Sequence, residues 1–341
     1  MDNSFFKPDT QVVLKSLLTD VKGYFGAVSL ARAIVSNLPG FLADKNRSLN
    51  EICEFYHWSP VPTRLLCDTL VLMEWLESDA DGCYRNSSRM LVLLPELSKL
   101  SPLVDDWERG MSDMSGLADL LEYDSWNQGK VAEKYSYTRG AASTDETDKY
   151  SVAMLDSVEP MAESLVERID FSRYRKILEV GGGYGGLAHR IRLDNPDIEW
   201  VGVMDLPPAE AGFKKLQEKG ELDPRLHFIP GDFFTSGLKN VCDCIVLNRI
   251  LFDWNDEKAE KIIDMCSAAL NSGGKLIVHE GCYRLDFNRI AASWLHFLVG
   301  GRLRTCEEVR SIIISNDSFV VERVLESKIP DWYIFMAEKI S

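Results

Sequence analysis

The residues with the clearest chemical use lie in one short run, Lys176 to Gly186, which reads K-I-L-E-V-G-G-G-Y-G-G. Glycine fills positions 181, 182, 183, 185 and 186. Without a Cβ, such positions allow a tight turn and let backbone N–H groups close on a ligand. Gly181, Gly183 and Gly186 satisfy G-x-G-x-x-G, which alone is a weak sign of a dinucleotide. Glu179 changes the meaning. An acid just ahead of the first glycine would repel a pyrophosphate, but it suits a ligand with a cationic amino-acid end. Asp205 closes the next apolar run, Trp200 to Met204, where a carboxylate can accept hydrogen bonds from ribose hydroxyls. S-adenosylmethionine fits these features better than NAD.

Other candidates are scattered more widely. Asp232 and Phe233 follow an apolar run in P-G-D-F-F, and Asn248 follows another. Eight cysteines are present, with Cys242 and Cys244 the only close pair. No second pair or histidine cluster completes a zinc site, so the thiols read as reduced core residues and no metal is expected. His57, His189 and His227 have no supporting context.

The elements that must position these groups follow from periodicity. From residue 171 onward, apolar runs alternate with helical patterns, which predicts a parallel sheet with helices on both faces. Strands are expected at 176–180, 199–204, 226–229, 243–247, 274–279, 319–325 and 332–338. The last two are joined too tightly for a helical crossover and should form an antiparallel hairpin at one edge. Glu179, Asp205, Asp232 and Asn248 fall at or near carboxyl ends of strands, where open α/β sheets collect ligands.

Ahead of this sheet, residues 1–100 read as a small winged-helix-like domain. Val12 to Ile34 is largely helical, with interruptions near Gly23 and Gly26. Ser48 and Glu51 form a capping box. A helix from Thr63 to Leu76 opens after prolines, and a hairpin is centred on Asp81-Gly82. The second helix carries Arg64 as its main cation and is too apolar to read bases. Dimerisation is therefore favoured over DNA binding. Residues 101–170 form linking helices. Trp107, Met111, Met114, Leu117, Leu120 and Leu121 recur at helical spacing, as core or as the wall of an apolar substrate pocket. Ser136 to Asp148 reads as a loop, and Tyr150 to Ile169, with Met154, as a helix.

At 341 residues the chain should hold two domains, the catalytic one spanning 171–341. A net charge of -15 and a pI near 4.9 argue against nucleic acid or an anionic membrane as partner. No apolar run reaches the ~20 residues a spanning helix needs. The first residues lack a signal-peptide pattern, so a cytoplasmic protein is expected.

Six ordered motifs carry a family resemblance: E-V-G-G-G-Y-G-G-L-A, M-D-L-P, G-D-F-F, L-N-R-I-L-F-D-W-N-D-E, L-N-S-G-G-K-L-I-V-H-E and G-G-R-L-R-T. In order and spacing they resemble the class I S-adenosylmethionine-dependent small-molecule O-methyltransferases, the group of plant caffeic-acid-type and bacterial natural-product tailoring enzymes. The resemblance implies a Rossmann-like α/β sheet with an antiparallel C-terminal hairpin, preceded by an all-helical winged-helix-like dimerisation domain, and a homodimer. It implies that Gly181 and Gly183 cradle the methionine part and Asp205, next to Leu206, holds the ribose. Asp232 and Phe233 would flank the adenine. Asn248 stands where the family often has lysine. Trp107, Met111, Met154 and Phe297 are the expected lining of the substrate pocket, and the Met and aromatic content that includes Met114, Trp126 and Trp294 suggests a flat or apolar small molecule.

The catalytic positions depart from the family pattern. The family usually reads L-H-D-W, with the histidine as base; here the run is Leu251-Phe252-Asp253-Trp254. Glu280 matches one of the two acids that brace that histidine, and Leu303 replaces the other. Phenylalanine cannot take a proton. The resemblance then implies methyl transfer to an N, O, S or C acceptor that is already nucleophilic. His296, on a helix that lines the family's pocket, is the candidate base, while His279 should face away from Glu280. The alternative is an enzyme of this fold that keeps S-adenosylmethionine but catalyses hydroxylation, decarboxylation or a pericyclic step. The substrate itself is not legible.

Overall fold

The structure is a computed structural model and describes residues 10–101, 104–105, 108, 144–285, 289–290, 292–293, 296 and 300–340. The readings on Trp107, Met111, Phe297, Trp294, the stripe from Met114 to Trp126 and the segment 136–143 lie outside these residues. The chain divides into two compact units, Met1–Ser115 and Gly116–Ser341.

In the first unit, helix α1 (Thr10–Val35) runs unbroken through both glycines, correcting the expected interruption. Gly26 serves packing instead: a Cβ there would lie 2.7 Å from the sulfur of Met73. A helix tolerates such a glycine at a cost of about 1 kcal/mol. After the short α2 (Leu38–Phe41), α3 (Leu49–Tyr56) opens on the expected capping box. The Glu51 N–H donates to Ser48 Oγ at 3.3 Å, and the Ser48 N–H donates to Glu51 Oε2 at 2.8 Å. Helix α4 (Pro60–Leu72) begins in its prolines and stops earlier than expected, because Glu74 takes φ 60° and turns the chain into β1 (Leu76–Ser78).

β1 pairs antiparallel with β2 (Tyr84–Asn86) around Gly82, which has φ 75°, and α5 (Ser88–Leu93) follows. The unit is therefore helical with a hairpin rather than wholly helical. Leu38, Ile52, Cys67, Leu70 and Leu76 form its core. In α4, Leu70 is buried, whereas Leu65 and Leu72 are exposed.

The second unit is built on seven strands: β3 (Lys176–Val180), β4 (Trp200–Asp205), β5 (Leu226–Pro230), β6 (Cys242–Asn248), β7 (Leu270–Gly281), β8 (Phe319–Glu326) and β9 (Trp332–Lys339). Their order is β5-β4-β3-β6-β7-β9-β8. The first five are parallel; β9 runs antiparallel to β7, and β8 to β9 at the edge. The order reverses between β3 and β6, the switch point at which such sheets open a crevice beyond their carboxyl ends.

The helices of this unit are α6 (Thr144–Arg168), α7 (Gly186–Asp194), α8 (Ala209–Glu218), α9 (Asp256–Ala269) and α10 (Cys306–Ile313). Apolar clusters cover both faces of the sheet. Helix α6 starts before Tyr150, so the expected loop gives way to helix from residue 144. The eight cysteines are unbridged. Among the described residues no helix is long and apolar enough to cross a membrane, and no cluster could hold a metal ion.

Candidate functional site at the switch point

The glycine turn sits directly beyond β3. The N–H groups of Gly181 and Gly182 donate to the Met204 carbonyl at 2.8 and 3.3 Å, tying the turn to β4. Gly181, Gly183 and Gly185 take φ 70°, 54° and 79°, which a side chain would strain. Their surroundings differ. A Cβ on Gly181 would lie 2.4 Å from Ile250 Cδ1, while one on Gly183 would meet nothing within 4 Å. Gly183 thus presents the turn's open side. Asp205 fixes that side: Oδ2 accepts the Gly183 N–H at 2.6 Å and Oδ1 accepts the Leu206 N–H at 2.7 Å. Burial raises the Asp205 pKa.

Glu179 lies beneath the turn. Its Oε2 accepts the Ala188 N–H at 2.9 Å, satisfying a donor in the first turn of α7. Burial pushes its pKa from 4.5 to about 8, against the pull of that hydrogen bond. A carboxyl raised on folding contributes stability that is full below its ordinary pKa and lost as pH rises through the folded value. The cofactor-free protein should therefore melt at lower temperature at pH 8.5 than at pH 5. Glu179→Gln keeps an acceptor for Ala188 and should flatten this slope in a thermal scan. An unchanged slope would remove Glu179 as its source.

Beyond β6, Arg249 takes φ 63° and donates from Nη1 to Ser157 Oγ at 2.9 Å and from Nη2 to the Met154 carbonyl at 3.2 Å. Met154 thus meets the site's edge through its backbone. Residues Leu251–Asp253 then form a single 3₁₀ turn. Glu280, at the end of β7, holds this turn by its donors. Oε1 accepts the N–H groups of Ile250 and Leu251 at 2.9 and 2.8 Å, and Oε2 accepts that of Phe252 at 3.2 Å. Glu280 is fully buried, and its pKa is pushed up to about 8 by burial.

Arg304 holds the same turn by its acceptors. It is 2 % exposed and donates from Nη1 to the Leu251 carbonyl at 2.8 Å and from Nη2 to the Trp254 carbonyl at 2.9 Å. Its Nε donates to Asp256 at 2.9 Å. A third clamp is the Arg302 N–H, which donates to the Phe252 carbonyl at 2.7 Å. Gly301 permits that approach, since a Cβ there would stand 2.2 Å from the Phe252 oxygen. Because that obstacle is backbone, Gly301→Ala is expected to displace the turn and lower the melting temperature by several degrees, about 1–3 kcal/mol of overpacking. An unchanged melting curve would mean that the turn yields freely.

Around this turn the structure gathers the expected catalytic residues. The Phe252 ring packs against the His296 ring at 4.3 Å and against Trp332 at 5.9 Å. His296 Nδ1 lies 3.0 Å from Asp253 Oδ1. Leu303 is buried. Ile250 reaches the glycine turn, and Trp254 packs edge-on to Phe233 at 5.8 Å. Asp232 Oδ1 accepts the Phe234 N–H at 2.9 Å, shaping the loop that carries Phe233. Asn248 is turned inward: its Oδ1 lies 2.9 Å from His279 Nδ1, and His279 Nε2 lies 3.0 Å from Ser327 Oγ. Burial pushes the His279 pKa down to about 3, so this ring is neutral and structural. Arg304, Trp332 and Trp254 are site residues that sequence reasoning did not single out; Arg304 and Trp254 were signalled only by membership of the G-G-R-L-R-T and L-F-D-W runs, and Trp332, at the start of β9, by neither.

Residues 118–317 match the O-methyltransferase domain family, more than half of the chain. The chain belongs to that family. Among curated relatives of this methyltransferase, the N,N-dimethyltransferase OxyT of Streptomyces rimosus is 28% identical over 271 residues, covering 78% of each chain. The aclacinomycin 10-hydroxylase RdmB of Streptomyces purpurascens is 33% identical over 165 residues, 46% of this chain and 43% of that one. Among solved structures, human N-acetylserotonin methyltransferase in complex with S-adenosylmethionine shares the fold with a TM-score of 0.71 at 21% identity, covering 100% of both chains.

Proposed function

We propose that this methyltransferase moves the methyl group of S-adenosylmethionine to a small natural-product acceptor that is already nucleophilic. The observation that carries this reading is the open face of Gly183 above a turn secured by Asp205, next to the clamped turn that carries Phe252. The residues fit the cofactor: a glycine with free space, carboxylates at strand ends for hydroxyls, and a half-buried Phe233 for a flat ring. Gly181 and Gly183 receive the methionine part, Asp205 and Leu206 the ribose, and Asp232 and Phe233 the adenine. Glu179 and Asn248 act from beneath, holding α7 and β6 in place. The bound sulfonium supplies an activated methyl group. The chain supplies alignment, which can be worth about 7–11 kcal/mol.

Phe252 and Leu303 place apolar groups where the family resemblance implies a base and its brace, so no base acts from position 252 and positioning carries a larger share of the reaction. The N,N-dimethyltransferase relative supports nitrogen as an acceptor atom. Calorimetric titration tests the cofactor assignment. S-adenosylmethionine and S-adenosylhomocysteine should bind and NAD should not; the reverse would overturn it.

The hydroxylase relative supports a second reading, in which the cofactor is bound but not consumed and its charge acts electrostatically. Consumption of one cofactor per product separates the two readings. We further assign the chain to the cytoplasm and to a homodimer joined through the exposed apolar face of α4, with Val61, Leu65 and Leu72. Sedimentation as a monomer at micromolar concentration would remove the dimer.

A further inference from the structure

We infer that His296, oriented by Asp253, is the group that accepts the acceptor's proton in this enzyme, replacing a histidine that position 252 does not supply. The inference deepens the proposed methyl transfer and rests on that reading.

Four observations carry it. First, the two side chains come from segments 43 residues apart, yet meet at 3.0 Å through Nδ1 and Oδ1. Second, the His296 ring lies against the ring of Phe252, so an imidazole stands one ring-thickness from where the resemblance places the family's base. Third, Asp253 is not free to swing. It ends the 3₁₀ turn clamped by Glu280 and Arg304, and its N–H donates to the Ile250 carbonyl at 3.2 Å. Fourth, the His296 backbone is itself tied to the same clamp, because its carbonyl accepts the Gly301 N–H at 2.7 Å. Both partners are mostly buried, with 21% and 13% of their side chains exposed. They are thus shielded enough for the pair to be directional and open enough to meet a ligand.

The chemistry follows from the geometry. With Asp253 accepting from Nδ1–H, the lone pair is left on Nε2. When an acceptor X–H is methylated, the X–C bond forms, the C–S bond breaks with its electron pair remaining on sulfur, and the proton of X must leave. Nε2 takes that proton, and the imidazolium so formed is held by the Asp253 carboxylate, which is the role of the acid in other His–carboxylate pairs. The charged and titratable groups around the pair are Glu280, which lies beneath the turn and senses the Asp253 charge, and Arg289 and His279, which both pack on Trp332. His279 is buried and neutral and does not compete. The acceptor class is an amine or phenol that must shed a proton during the reaction. A sulfur or carbon nucleophile that arrives already deprotonated would need no such group.

The test combines a spectroscopic and a kinetic readout on the full chain. Nitrogen-15 spectra of the imidazoles in cofactor-free protein should show His296 as the Nδ1–H tautomer, and Asp253→Asn should abolish that preference. Using the acceptor identified by label transfer, His296→Gln should lower kcat by about 10²–10⁴-fold with KM little changed, and should remove the acid limb of the pH profile. An Nε2–H tautomer, or a His296→Gln enzyme with unaltered kcat and pH profile, would overturn the inference. Absence of label transfer in the unmodified enzyme would instead defeat the methyl-transfer reading, so the two failures are distinguishable.

Discussion

Asp205→Ala is expected to weaken S-adenosylmethionine binding by about a hundredfold or more. The carboxylate has two duties. It anchors the N–H groups of Gly183 and Leu206, and in the proposed assignment it also accepts from the ribose hydroxyls. Each hydrogen bond to a charged group is worth roughly 1.5–3 kcal/mol, and 1.4 kcal/mol is tenfold in affinity. Removing the carboxylate loses the proposed ribose contacts and also releases the only glycine whose outward side is open at the turn's rim. Asp205→Asn, which keeps one acceptor oxygen, should fall between the two. Calorimetry reads this directly. An Asp205→Ala protein with wild-type affinity would mean the ligand lies elsewhere.

The second large effect belongs to Arg304. Its guanidinium is buried and donates to the carbonyls of Leu251 and Trp254. Arg304→Ala removes both of these charge-assisted hydrogen bonds, at about 1–3 kcal/mol each, and opens a cavity where the side chain stood. A total loss of about 3–5 kcal/mol in unfolding free energy is expected, with loss of turnover because Phe252 and Asp253 ride on the released turn. Arg304→Lys should recover only part of this, since an ammonium cannot reproduce the planar fork. Chemical denaturation checks the prediction. Wild-type stability would show that Glu280 holds the turn alone.

The centre of the sheet was legible because β3, β4 and β6 are buried on both faces and so read as nearly unbroken apolar runs. Lys176–Val180 was read with the bounds it has, and the others differ by a residue or two except at the start of β7. There, Asn271-Ser-Gly-Gly looks like a turn but continues as strand, with a register irregularity against β6 between Cys242 and Cys244. Gly26 was read as a break because its local cost is visible in the sequence, while the Met73 sulfur that uses the vacant space is not.

The glycine turn and Asp205 were likewise readable, since strand, turn and acid are close in the chain. Glu280 was identified as a site acid, but not the three backbone donors it serves, which lie about thirty residues away. Arg304 and the pairing of Asp253 with His296 were hidden for the same reason: which side chains meet across a turn is set by packing between distant segments, not by spacing.

The most direct measurement gives the purified enzyme S-adenosylmethionine with an isotopically labelled methyl group, together with a metabolite extract, and follows both small molecules and cofactor by mass spectrometry. Label in a small molecule, matched one for one by S-adenosylhomocysteine, is the predicted result. Substrate conversion with the cofactor unconsumed and no label in the product would contradict methyl transfer.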